Sequence, residues 1–113
     1  MDTIVACSTA SGPALRAIVR LSGPRSAEIA ERVRTQPATL QTFRRPRSAT
    51  GEDVAELHVP GIPPLVARLV EDCLAAGARM AGPGEFTRRA LANGRLDPAQ
   101  AEAVAALVHA RDE

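Results

Sequence analysis

The sequence predicts an α+β domain in which a small mixed sheet packs against helices. Two short runs rich in β-branched residues, Thr3–Cys7 and Leu15–Leu21, predict neighbouring strands because turn-forming residues at 11–13 separate them. Further along the chain, apolar residues recur with the spacing of an amphipathic helix. The length of 113 residues suits a single domain over 1–113.

The middle of the chain predicts a helix, a loop and a strand. Gly23 and Pro24 end the second strand and open a helix that finishes near Arg34. Residues 35–50 show no periodicity and predict a loop with at most a short edge strand near Leu40–Phe43. Val54–Val59 alternates in part and predicts a strand.

The second half is mainly helical by pattern. The strongest helical spacing is carried by Leu65, Val66, Leu69, Val70, Cys73 and Leu74. Gly77 follows where a left-handed cap belongs, and a short strand at 78–81 and a helix over 85–92 come next. Asp97 and Gln100 form a capping-box pattern that predicts a last helix to about Ala110.

The composition excludes several function classes. All 14 basic residues are Arg, so Schiff-base chemistry and a phosphate-loop lysine are absent and no intrinsic GTPase is expected. Net charge is +1, so no overall field attracts nucleic acid or membrane. With Trp 0, Tyr 0 and Phe 2, a base-stacking platform is disfavoured. Alanine supplies 22 of the apolar residues, and this thin core favours a homodimer.

The cysteines and the apolar stretches favour a cytoplasmic protein with no membrane segment. Cys7 and Cys73 lie far apart in apolar elements, and both are interpreted as buried, reduced packing residues. With His58 and His109 they lack the close spacing of a zinc site, so no metal is expected. No apolar run approaches the roughly 20 residues that cross a bilayer.

A short basic run surrounds Pro46. Arg44, Arg45 and Arg47 lie in the half of the chain, 1–50, that carries eight Arg against three acids. A solvated loop is favoured over an RNA-phosphate contact, because no aromatic residues are interleaved with the arginines.

Three charged residues stand where a binding site is plausible. Arg20 lies inside one apolar strand, Glu56 lies inside another, and Arg95 follows the Asn-Gly turn at 93–94. Each alone is most simply a solvent-facing charge. If the two strands are neighbours, the carboxylate and the guanidinium face one pocket, which suits a planar heterocycle with a carboxylate tail.

Other chemistry has less support. The serines lack a glycine elbow, and His58 is interpreted as a hydrogen-bonded or exposed strand-end side chain instead of a general base. The Gly-Pro-Gly-Glu segment at 82–85 opens a helix, where it either binds an anion or serves as a structural turn.

Four ordered segments resemble one family. They are DTIVA at 2–6, IVRLSG at 18–23, TGEDVAELH at 50–58 and the long string GPGEFTRRALANGRLDPAQAEAVAALVHA at 82–110. Together they are similar to the N-terminal domain of TrmE-type (MnmE) tRNA-modification GTPases. The resemblance covers nearly the whole chain apart from about 35–49.

The resemblance implies a fold, a ligand and partners. The family domain resembles half of a glycine-cleavage T-protein folate-binding domain, binds tetrahydrofolate, typically the 5-formyl form, and forms a constitutive homodimer. Its full-length protein works with a flavin-dependent partner of the MnmG/GidA type at C5 of the tRNA wobble uridine. By resemblance, Arg20, Glu56 and Arg95 are the folate contacts, with Arg95 standing where the family has Lys.

The chain also departs from the family pattern. The segment at about 35–50 is shortened, and His58 to Ile62 reads HVPGI where the family has HCHGG. The helical and GTP-binding domains are not found in these 113 residues, so we expect no activity from the chain alone. Two alternatives stay open: a remnant that dimerises without binding folate, and a T-protein-like one-carbon transferase using Asp53 or His58.

Overall fold

The computed structural model describes residues 2–9, 16–35, 38–100 and 103. The strands are β1 (Ile4–Thr9), β2 (Arg16–Ser22), β3 (Thr39–Phe43), β4 (Val54–Pro60) and β5 (Arg79–Met80). The helices are α1 (Ser26–Val33), α2 (Pro63–Ala75) and α3 (Glu85–Ala92). This mixture of five strands and helices confirms the predicted α+β class.

The strands form one mixed sheet in the order β3-β4-β2-β1-β5. Its first four strands pair antiparallel, whereas β5 runs parallel to β1 and pairs only with Ile4 and Val5. The edge strand predicted near Leu40–Phe43 is confirmed as β3, paired with β4 along its whole length. Strands β4 and β2 therefore lie in the interior of the sheet, and β3 and β5 lie at its edges.

Helices α1 and α2 cover one face of the sheet. Alternate residues of the central strands are buried against them, as the side-chain alternation of a strand requires. The core consists mainly of Val5, Ala17, Val19, Leu21, Ile29, Ala30, Ala55, Leu57, Val59, Leu69 and Cys73. Burial raises the pKa of the Cys73 thiol to about 11, which agrees with its predicted role as a packing residue.

Cys7 corrects the sequence interpretation, because it is exposed and not buried. It lies on β1 beyond the two residues that β5 pairs with, so this part of β1 is a sheet edge in the described residues. The alternation that buries Val5 therefore does not bury Cys7.

The predicted helix ends are confirmed where the structure describes them. Gly77, with φ +115°, follows α2, and its N–H donates to the Leu74 carbonyl at 3.1 Å. The side chains of Asp97 and Gln100 each accept the other residue's backbone N–H, at 2.7 and 2.9 Å, so the capping box is present. Residues 98–100 are helical, and the rest of the predicted last helix falls mostly outside the described residues.

Candidate functional site

Arg20 and Glu56 lie directly opposite each other on β2 and β4. Opposed residues of paired strands point to the same face, here the face away from α1 and α2. The Arg20 Nε and Nη2 atoms donate to Glu56 Oε2 at 2.8 and 2.7 Å. The neighbouring strands that the sequence interpretation required are therefore present, and the two side chains are in contact.

Glu56 is also held by a second donor on its own strand. His58 Nε2 lies 3.1 Å from Glu56 Oε1, because residues two apart on a strand share a face. The Glu56 side chain is only 12% exposed, against 35% for Arg20. A carboxylate can accept about four hydrogen bonds, so Glu56 keeps capacity for ligand N–H groups.

The rest of this sheet face is polar or only partly covered within the described residues. Ala6, Ile18 and His58 are half-buried, and Gln41 and Phe43 are exposed. The arrangement presents a fixed carboxylate and a partly free guanidinium beside small and apolar side chains. Such a donor and acceptor set fits a flat heterocycle that offers paired N–H groups.

Arg95 lies at a different place from Arg20 and Glu56. Its side chain is exposed, and its Nε atom donates to the Ser48 carbonyl at 2.9 Å. Asn93, two residues earlier, donates to the Thr50 carbonyl, also at 2.9 Å. The turn after α3 therefore fixes the segment 48–51, and no hydrogen bond or ion pair joins Arg95 to Arg20 or Glu56.

A buried polar cluster, which we call the Glu52 cluster, closes the Ser22 end of the sheet. The Ser22 hydroxyl lies 2.7 Å from both Thr50 Oγ1 and Glu52 Oε1. Arg89 Nη1 donates to the same Glu52 oxygen at 3.0 Å. Glu52 is 9% exposed, and these charge-assisted contacts compensate the carboxylate for its loss of water.

Arg89 extends this cluster to an ion network that we call the Asp2 network. Its Nη2 atom contacts Asp2 Oδ1 at 2.5 Å and Glu85 Oε2 at 3.3 Å, and Arg79 contacts both acids at 2.5 Å. Hydrogen bonds from Arg79, then Arg89, lower the pKa of Asp2 to about 2. Those from Arg79, then the Gly82 N–H, lower the pKa of Glu85 to about 2.

The Gly-Pro-Gly-Glu segment is a structural turn. Glu85 Oε1 accepts the Gly82 N–H at 2.8 Å, so the chain's own carboxylate occupies the position that an external anion would take. The structural alternative weighed from the sequence is the one observed.

A cleft of about 340 Å³ lies beside the Glu52 cluster. Its lining consists of Gly23, Pro24, Arg45, Gly51, Glu52, Asp53 and Asn93. Arg20 and Glu56 are not among these residues. The cleft and the Arg20–Glu56 pair are thus separate features of the molecule.

Two side-chain contacts were not predicted from the sequence. His58 is hydrogen-bonded, as interpreted from the sequence, but its partner Glu56 was not named, although the Glu-Leu-His spacing places both side chains on one strand face. The Glu52–Arg89 pair spans 37 residues, and no local pattern indicates it.

Within the described ranges, no group of three or more His, Cys, Asp or Glu is arranged to hold a metal. Nor does any helix in those ranges have the length and apolarity to span a membrane.

Comparison with known proteins links the chain to one group. Residues 35–95 match the family model described as the GTP-binding protein TrmE N-terminus. The chain is similar to proteins named tRNA modification GTPase MnmE from Opitutus terrae (43% identity), Halorhodospira halophila (45%) and Caulobacter vibrioides (45%). Each alignment covers 99% of this chain and 28–30% of the relative.

The relatives have residues within the aligned region that this chain lacks. The match to the Opitutus terrae protein runs over 133 positions, more than the 113 residues of this chain. The relative therefore has additional residues inside the aligned region. The chain spans less than a third of the length of the curated relatives it matches.

Proposed function

Because this chain belongs to the TrmE N-terminus family of tRNA-modification proteins, we propose that it is a tetrahydrofolate-binding and homodimerising module, with 5-formyl-tetrahydrofolate as its ligand. In this proposal it serves C5 modification of the tRNA wobble uridine in the cytoplasm, with an MnmG/GidA-type flavoprotein as partner. The chain contributes binding, not GTP hydrolysis.

One observation carries the folate proposal: Glu56 is held from two sides on an accessible sheet face. Arg20 fixes one carboxylate oxygen and His58 the other. A carboxylate orientated in this way is ready to accept the N–H groups of a pterin ring without reorganising. Arg20, which is 35% exposed, remains available to a ring oxygen or the carboxylate tail.

In the proposal, Arg95 binds a different part of the ligand from Glu56. It follows the Asn-Gly turn in the place of a basic family residue, and its Nη atoms form no hydrogen bond or ion pair among the described residues. We propose that it binds the negatively charged tail of the ligand, while its Nε atom stays on the Ser48 carbonyl. An Arg at this position retains the charge but offers a planar fork in place of a single ammonium.

Titration calorimetry with 5-formyl-tetrahydrofolate tests the proposal directly. We expect saturable binding by the wild-type chain and its loss in Glu56→Ala, because the ring N–H groups lose their acceptor. Glu71→Ala, which removes an exposed acid on α2, is the matched control and should bind as wild type does. Absence of binding by well-folded wild type at high concentration would refute the folate function.

A second function is favoured by the departures from the family: a dimerisation remnant that does not bind folate. The additional residues of the relatives and the HVPGI sequence after Glu56 motivate it. A dimer that gives no calorimetric signal would support the remnant, whereas folate binding excludes it.

A further inference from the structure

The turn between β3 and β4 carries three exposed arginines. Arg44, Arg45 and Arg47, which we call the basic tip, are all exposed. Within the part of the chain that the structure describes, none of their guanidinium groups forms an ion pair or a hydrogen bond. The three arginines therefore form an exposed positive cluster at this turn, with guanidinium groups that are unpaired among the described residues.

The hydrogen bonds that hold the tip in place involve its backbone groups and not its arginine side chains. The Arg47 N–H donates to the Arg44 carbonyl at 2.9 Å, and the Arg45 N–H donates to Asp53 Oδ1, also at 2.9 Å. The arginine side chains are therefore not needed for the turn to form. Replacing the three arginines should therefore leave the fold intact. Because the side chains have no structural role in the turn, a binding role is considered for them.

The surroundings of the tip favour an extended polyanion. Arg95 lies against the Ser48 carbonyl, one residue after Arg47, and adds a fourth exposed cation. Two acids line the same cleft as Arg45: Glu52 accepts from Arg89, and Asp53 accepts only the neutral Arg45 backbone N–H, so the tip keeps an excess of positive charge. Phe43, which directly precedes the tip, is 39% exposed.

The solvated turn interpreted from the sequence is confirmed, because all three arginines are exposed. Phe43, directly before them, adds one exposed ring. One ring does not make a stacking platform, but it can pack on a single base while guanidinium groups bind the adjoining phosphates.

We propose that the basic tip is an RNA-binding site that contacts backbone phosphates of an RNA loop, with Phe43 against a neighbouring base. Planar guanidinium groups match phosphate geometry, and the relatives that the chain matches are named tRNA modification GTPases, which favours RNA as the polyanion. The inference rests on the proposed role in tRNA modification, but it does not depend on folate. Binding of this kind is salt-sensitive and weakly sequence-specific.

The experiment measures the fluorescence polarisation of a labelled, unmodified tRNA anticodon stem–loop with the 113-residue chain. The test variant is Arg44→Gln/Arg45→Gln/Arg47→Gln. The matched control is Arg32→Gln/Arg34→Gln/Arg68→Gln, which removes equal charge from exposed positions of the helical layer. We expect roughly tenfold weaker binding for the test variant only, and a salt-dependence slope smaller by about 2.

Several outcomes would overturn the inference. These are no RNA binding by wild type at low salt, an equal loss in the control variant, or stronger binding of an acidic peptide than of the RNA. Phe43→Ala, made in the wild-type chain, should weaken RNA binding at a given salt concentration without changing the slope of the salt dependence. Calorimetry with 5-formyl-tetrahydrofolate on the same variants separates the two proposals, because the tip variant should retain folate binding.

Discussion

Gly51 shows how a single residue holds the turn after α3 against the 48–51 segment. Its φ of +81° lies in the left-handed region, and a Cβ placed on it would lie 2.6 Å from Asn93 Cβ and 3.2 Å from Arg95 Cγ. The missing side chain therefore allows Asn93 and Arg95 to reach the carbonyl groups of Thr50 and Ser48.

We expect Gly51→Ala to lower the free energy of unfolding more than Gly94→Ala does. Gly94 has a similar φ of +73°, but nothing lies within 4 Å of its added Cβ. The control should cost about 1 kcal/mol for backbone strain alone, and Gly51→Ala a further 1–3 kcal/mol, roughly, for the overlap. Urea denaturation measures both, and equal losses would contradict the close approach.

At the scale of elements, the Asp2 network fastens α3 to the start of β1. Arg79 and Arg89 bridge Asp2 before β1 to Glu85 in the first turn of α3. The pKa values of Asp2 and Glu85, about 2 in the folded chain, lie below their ordinary values of 3.8 and 4.5. Their contribution to stability is thus complete above the ordinary values and is lost as the pH falls towards 2.

We therefore expect the free energy of unfolding to fall between about pH 5 and pH 2. Arg79→Met should flatten this dependence, because Arg79 provides the main hydrogen bond to both acids. Arg68→Met, on the exposed surface of α2, serves as the control and should retain the wild-type slope. Denaturant titrations at several pH values measure the slopes, and an unchanged slope in Arg79→Met would refute the role of the network.

The elements were predictable from sequence to the extent that their signals are local. The helical spacing in 65–74 and the left-handed Gly77 identify α2 and its end without reference to the rest of the chain. The contact of Arg20 with Glu56 depends on two strands being neighbours, which the sequence permitted but did not require. Cys7 was misread because its burial depends on how far β5 extends along β1.

At the scale of the whole molecule, α1 and α2 cover one face of the sheet, and no described helix covers the other. The described part of the chain is 38 × 32 × 20 Å, and its short dimension corresponds to two layers. Five large apolar side chains are exposed in these residues, namely Phe43, Ile62, Leu74, Met80 and Leu91. Together with the alanine-rich core, this exposure supports the proposed homodimer.

Light scattering coupled to size exclusion tests the oligomeric state. We expect a molar mass twice that of one chain, which persists on dilution because a thin core gains stability from the second copy. A monomer mass at every concentration would contradict the dimer without affecting the folate or RNA experiments. Glu56→Ala is a useful companion, since loss of folate binding with an intact dimer would separate the two properties.

In the two-layer arrangement, alternate residues of β2 and β4 have different surroundings: odd-numbered ones face the helices, and even-numbered ones face away from them. Residues that point towards the helices, such as Val19 and Leu57, are constrained by core packing. Their immediate neighbours Arg20 and Glu56 point to the opposite face and are free of that constraint. Substitutions at the outward positions can therefore change what this face binds, while the inward positions keep the core packed. Adjacent residues of one strand therefore meet separate physical constraints, and a substitution at an outward position should leave the packing of the core unchanged.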